Sequence, residues 1–139
     1  MSEPKIFSLT EAERALPLVR RIVADIQAAY ADLRAARDDL RLASAQRTEY
    51  EGGALKGLRT AVDQDADRVR ELIRELEAVG GHLKDFEKGL VDFYALLEDR
   101  LVYLCWRMGE DRITHWHELD AGFGGRQPID EALFPGTVP

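Results

Sequence analysis

The sequence predicts an α+β protein: a long antiparallel two-helix hairpin, coiled-coil-like, followed by a small antiparallel β-sheet of three to four strands and a glycine-rich C-terminal tail. Three observations predict it. Apolar residues recur in steps of three and four from Leu16 to Leu40, and again from Leu55 to Val79, which is the spacing of a helical seam. Gly80-Gly81 closes that pattern as a helix C-cap does. Beyond it the period shortens toward two, and Val, Phe, Tyr and Trp are enriched, as strands require. The 139 residues suit one domain, with the hairpin over 10–80, the sheet over 82–120 and the glycine-rich loop and tail over 121–139.

The first helix has overlapping start signals, Ser8 with Glu11 and Thr10 with Glu13, both in capping-box spacing. Pro17 lies inside the helical pattern. It removes one hydrogen bond and crowds the preceding turn, so a kink or a short separate turn is expected there. The first seam is Leu16, Val19, Val23, Ile26, Tyr30, Leu33, Arg37, Leu40; the second, after a break at 48–53, is Leu55, Leu58, Val62, Asp65, Val69, Leu72, Leu76, Val79. Pairing residues whose numbers sum to 102 sets Leu33 on Val69 and the charged interruptions Arg37 and Asp65 on each other. A charge pair at that place fixes register more than it adds stability. Beside the seam runs a ladder of mostly small residues, Ala15, Ile22, Ala29, Ala36 and Ala43. Two helices cannot cover a seam and that ladder together, so a third element or a second subunit is implied, and a homodimer is the expected assembly.

Four strands are read after Gly81: 82–87, 90–97, 101–107 and 112–119. Lys88-Gly89, Glu98-Asp99-Arg100 and Met108-Gly109-Glu110-Asp111 make the turns. The 90–97 run contains no Pro or Gly and reads also as helix. Trp106, Trp116 and Phe123 are expected to form a cap where sheet, tail and helix ends meet.

Composition excludes several functions. Net charge is −7 and the isoelectric point near 5.0, so neither nucleic acid nor an anionic membrane surface is an expected partner. A protein partner other than a second copy is not identifiable. One cysteine makes no internal disulfide, which points to a reducing cytoplasm. The start lacks the basic and apolar regions of a signal peptide, and no run approaches the ~20 apolar residues of a membrane span.

The stretch from Cys105 to Pro128 concentrates the chemistry. It holds both tryptophans, two of the three histidines and the sole cysteine. On a strand, His115 and His117 share a face. With Asp120, another carboxylate or Cys105 they form a candidate site for a divalent ion such as zinc; no other cofactor is indicated. The ordinary reading is that His117 is a buried histidine holding a carboxylate, Asp92 or Asp85. Cys105 could be a nucleophile activated by His117, although a lone cysteine on an apolar strand is usually inert core. Asp85, Asp92, Glu118 and Asp120 are candidate paired carboxylates; an aspartate inside an apolar strand needs a partner, and Arg107 and Arg126 are the obvious ones. Gly122-Phe123-Gly124-Gly125-Arg126 could cradle an anion, or simply turn the chain. Two functional classes follow. One is a structural or interaction module that dimerises through its helices. The other is a small ligand- or metal-binding protein, or an enzyme, with its site made by Asp92, Arg107, His117, Glu118 and Arg126.

Three segments resemble members of the bacterial domain of unknown function 2203 family: the opening L-T-E-A-E-R-A-L-P-L-V, the middle L-K-D-F-E-K-G-L-V-D-F, and the end Y-L-C-W-R-M-G-E with W-H-E-L-D-A-G-F-G-G-R-Q-P. The resemblance spans nearly the whole chain and brings no established activity, substrate or catalytic residue. It implies that Asp85, Asp92, Cys105, Trp106, Arg107, Trp116, His117, Gly122, Phe123, Gly125 and Arg126 occupy motif positions. His115 stands where the family more often has an aromatic residue.

Overall fold

The computed structural model describes residues 4–46 and 53–134. The expected interhelical break lies, but for Gly53, outside those residues, as does the tail 136–139. Helix α1 spans Leu9–Ala45 and α2 spans Gly53–Val79. A five-stranded antiparallel meander follows: β1 His82–Asp85, β2 Leu90–Leu97, β3 Arg100–Arg107, β4 His115–His117 and β5 Gln127–Pro128, neighbours in sequence being neighbours in the sheet. The fold class is therefore the α+β hairpin-and-sheet expected, with one strand more. Strand 90–97 is a strand, not a helix.

Of the two capping signals, Ser8 with Glu11 is the one used. Glu11 N–H donates to Ser8 Oγ at 3.0 Å, and Ser8 N–H to Glu11 Oε1 at 2.9 Å. Such a cap is worth about 1 kcal/mol. The helix then runs through Pro17 as one element, so no separate turn precedes the proline. At the same end of the hairpin Gly80, at φ 111°, closes α2 with a Schellman pair: Gly81 N–H to Leu76 O and Gly80 N–H to Glu77 O, both 3.0 Å. A Cβ at Gly80 would sit 2.5 Å from the Phe7 ring, so glycine is needed there for space as well as for its backbone.

The alternation of the strands divides the sheet sharply. Val91, Phe93, Ala95, Val102, Leu104, Trp106 and Trp116 are buried with Leu16, Val19, Val23 and Ile26 of α1 and Leu72 and Leu76 of α2 in one cluster. Ile22 and Ala29 of the small-residue ladder belong to the same cluster, so the sheet supplies the third layer that the ladder called for. Gln27 clamps the β1–β2 turn, donating to Phe86 O and Glu87 O at 3.1 Å each, and Tyr30 stacks on Phe86 at 4.3 Å. The N-terminal segment joins the sheet edge just beyond the start of β1: Ile6 bridges Tyr94, and Phe7 N–H donates to Tyr94 O at 2.7 Å.

Away from the sheet the hairpin thins. Leu33 and Val69 line one groove, in keeping with their expected pairing. Arg37 is exposed and Asp65 half-buried, and no ion pair joins them among the described residues. The expected charge lock is absent because two helices alone leave that part of the seam in water, where a pair gains little over solvation. Leu40, Leu55, Leu58 and Val62 are correspondingly only half-buried.

The β2–β3 turn is two residues long, since Leu97 pairs with Arg100. Glu98 and Asp99 both take positive φ, 50° and 66°, as the twist of a tight hairpin favours. Neither is glycine or asparagine, so both carry the steric cost of the left-handed region. Replacing Asp99 by glycine should therefore raise stability by about 0.5–1 kcal/mol, the relief exceeding the glycine's entropy loss, as read from chemical denaturation midpoints.

Candidate metal centre

The face of the sheet turned away from the helices is polar. β2 contributes Asp92 and Tyr94, β3 contributes Tyr103 and Cys105, β4 contributes His115 and His117, and β1 contributes His82. Register places them side by side: His82 on Asp92, Asp92 on Cys105, Tyr94 on Tyr103, Tyr103 on His117, Cys105 on His115. A row of rings crosses four strands, His82–Tyr94 at 5.1 Å, Tyr94–Tyr103 at 4.8 Å and Tyr103–His117 at 5.4 Å between centroids. Tyr103 O–H donates to Tyr94 Oη at 3.1 Å. Phe123 lies on this face, lining a cleft with Asp92, Cys105 and His117. The expected cap of Trp106, Trp116 and Phe123 is thus divided: the tryptophans enter the core and Phe123 stays on the other side. The reason is alternation, since Trp106 and Trp116 share a sheet face that Cys105 and His117 do not.

Asp92 and His117 are each 2% exposed and Cys105 1%. One ligand atom from each of the three lies within 4.8 Å of the others. His117 Nδ1 is 2.7 Å from Glu118 O, and Nε2 is 3.0 and 3.1 Å from the two Asp92 oxygens. A carbonyl only accepts, so Nδ1 carries a hydrogen. Nε2 then faces a carboxyl group that must share one further proton with it, as an imidazolium–carboxylate pair or as a carboxylic acid donating to the ring. Either form is neutral overall, and the proton belongs to the pair. Burial pushes the Asp92 carboxyl above the usual range, opposed by the adjacent His117. Burial likewise pushes the Cys105 thiol up to about 12, with Asp92 adding to the shift and Arg126 opposing it. With both imidazole nitrogens engaged elsewhere and a thiol so weakly acidic, Cys105 and His117 do not form a nucleophile–base couple.

The other residues singled out in the sequence lie around this centre. Glu118 contributes its backbone carbonyl, while its side chain pairs with Arg100 at 2.6 Å. Arg126 pairs with Glu110 at 2.8 Å and donates to Cys105 O at 3.2 Å, bracing the strand behind the thiol. Arg107 is exposed, and its backbone N–H donates to Glu110 Oε1 at 2.8 Å. Neither arginine reaches Asp92; its partner is His117. Asp85 accepts from Lys88 N–H at 2.9 Å in the β1–β2 turn. His115 Nδ1 is 2.9 Å from Thr114 Oγ1, and Asp120 is exposed in a turn. The group brought together is accordingly Asp92, Cys105 and His117, rather than His115, His117 and Asp120.

Cys105 is expected from the sequence only as one of several ligands for His115 and His117; its place beside Asp92 is what the structure adds. The signal was the turn. A two-residue Glu98-Asp99 loop makes paired residues of β2 and β3 sum to 197, which sets Asp92 on Cys105. The same arithmetic at 220 for β3 and β4 sets Tyr103 on His117 and brings that ring diagonally over Asp92.

No helix among the described residues is long and apolar enough to cross a membrane. The family model described as "Uncharacterized conserved protein (DUF2203)" matches residues 5–129, and the chain belongs to that family. Comparison with curated proteins and with solved structures finds no match in either.

Proposed function

We propose that this DUF2203 member binds one divalent transition-metal ion, of the zinc type, through an Asp92 oxygen, Cys105 Sγ and His117 Nε2. The observation that carries the reading is the convergence of a carboxylate, a thiol and an imidazole, all buried, at the floor of an open cleft. Such a donor set suits zinc, and three protein ligands leave a fourth position free. Glu118 O already holds Nδ1, the arrangement that orients a metal-binding histidine and fixes its tautomer. Tetrahedral bonds of about 2.0–2.3 Å put ligand atoms about 3.3–3.8 Å apart, so closing the present triangle needs a movement on the order of 1 Å. Charge favours a divalent ion specifically. The resting site holds two protons, one on the thiol and one shared by the pair; exchanging both for a 2+ ion leaves the buried site as neutral as before. A reducing cytoplasm, which keeps the lone thiol available, suits this role. The test is metal content of protein produced without a polyhistidine tag and dialysed against zinc. One ion per chain is expected, and none in His117→Gln, which keeps hydrogen bonding but loses the imidazole donor. Zinc-free wild type, or equal content in both, sinks the reading.

A second reading concerns the far end of the hairpin. Leu42 is 58% exposed there and the seam from Leu40 to Val62 only half-buried, so a second copy laid along it would complete the burial that two helices leave undone. On this reading the chain sediments as a dimer at micromolar concentration and Leu42→Glu sediments as a monomer. A wild-type monomer throughout that range contradicts it.

A further inference from the structure

We propose that the cleft over Asp92, Cys105 and His117 binds a small organic anion, a carboxylate or phosphate monoester with a compact apolar body, whose oxygen takes the metal's fourth position. The inference rests on the metal reading above and adds the class of ligand. The cleft has a volume of about 310 Å³, at the lower end of small-molecule sites. Its rim carries two lysines. Lys84 Nζ lies 4.8 Å over the Tyr103 ring and 3.5 Å from its hydroxyl; Lys88 Nζ lies 4.9 Å over the Phe123 ring. Neither makes an ion pair among the described residues. Both ammonium groups are held at the opening by aromatic faces instead of by carboxylates, which leaves their charge available to a ligand.

The charge balance points the same way. At the rim Lys84 and Lys88 outweigh Asp85 by one positive charge, in a chain of net charge −7. An ion held by Asp92, Cys105 and His117 would add an open coordination position beneath that rim. An anion satisfies both. Lysine suits an oxyanion as a point charge without demanding one planar geometry. Leu90, Leu119 and Phe123 complete the walls, which accounts for an apolar body on the anion.

Calorimetry and thermal melts of zinc-loaded protein test this with phenyl phosphate, benzoate, inorganic phosphate and uncharged benzyl alcohol. Phenyl phosphate, benzoate or both should bind and raise the melting temperature, the better of the two identifying the headgroup, and benzyl alcohol should not. Inorganic phosphate should bind more weakly than phenyl phosphate. Lys84→Met and Lys88→Met should each weaken binding about tenfold, the scale of one charge-assisted contact, with zinc content unchanged. Full zinc content without a response to either organic anion, or binding unaltered in the double variant, overturns the anion inference and leaves the metal reading standing. A wild-type chain that takes up no zinc overturns both.

Discussion

Zinc uptake at Asp92, Cys105 and His117 should release two protons per ion and strengthen steeply with pH. The thiol lies at about 12, so it is protonated before the metal arrives and must lose its proton to bind. The Asp92–His117 pair holds one further proton on the very atoms that would face the ion. Each displaced proton makes the apparent affinity rise tenfold per pH unit, so the two together give on the order of 100-fold per unit while both remain bound in the free protein. Calorimetric titration in buffers of different ionisation enthalpy counts the protons directly. Asp92→Asn should release one, from the thiol alone, and bind at least ~100-fold more weakly, because an amide is a poor zinc ligand. Release of no proton by the wild type would mean that neither group coordinates.

Asp92→Ala and Asp92→Asn should differ in stability by about 1–3 kcal/mol in the metal-free protein, although both abolish the carboxylate. Alanine leaves His117 Nε2 buried without a partner, and that scale is the cost of one orphaned buried polar group. Asparagine can donate its N–H to Nε2, as the protonated acid does, while Nδ1 keeps Glu118 O. The pH dependence separates the variants further. Asp92 is raised in the fold from an ordinary 3.8, so it holds its proton more tightly folded than unfolded. Its contribution is fully present below about 3.8 and is lost as pH rises through its folded value. Asparagine does not titrate, so Asp92→Asn should equal or exceed the wild type in stability near neutral pH, and its advantage should shrink toward acid. Chemical denaturation from about pH 5 to about pH 8 measures both. A wild type that gains on Asp92→Asn with rising pH would show the opposite sign of linkage.

The parts of this molecule legible in its sequence are those with a period. Seams stepping by three and four gave the hairpin, and alternation gave the strand bearing Asp92 and Phe93 on opposite faces. The charged seam pair was misjudged because sequence shows which residues align but not how much water reaches them; Arg37 and Asp65 lie where the hairpin is only two helices thick. Strand β5 is two residues long, Gln127–Pro128, too short for any period, and it exists because β4 offers it an edge. The centre was half legible. Asp92 and His117 stood out as buried-looking polar residues on strands, yet their meeting depends on the registers of two hairpins at once. One of those turns on Glu98-Asp99, which lacks the glycine or asparagine that marks a tight turn. With that register open, His117 had Asp85 as well as Asp92 for a partner, the arginines stood as further partners for Asp92, and Cys105 read as core or as one of several ligands for a His115–His117 pair; the structure selects Asp92 for His117.

Cobalt(II) titration, read by absorption, tests the central claim most directly. It reports a thiolate ligand and distinguishes this centre from a site built by His115, His117 and Asp120, which contains no sulfur. The account predicts a thiolate-to-cobalt charge-transfer band that saturates at one ion per chain. The band should vanish in Cys105→Ser and His117→Gln, and persist in His115→Ala and Asp120→Ala. A cobalt spectrum without a thiolate band, or one unchanged by Cys105→Ser, would contradict it.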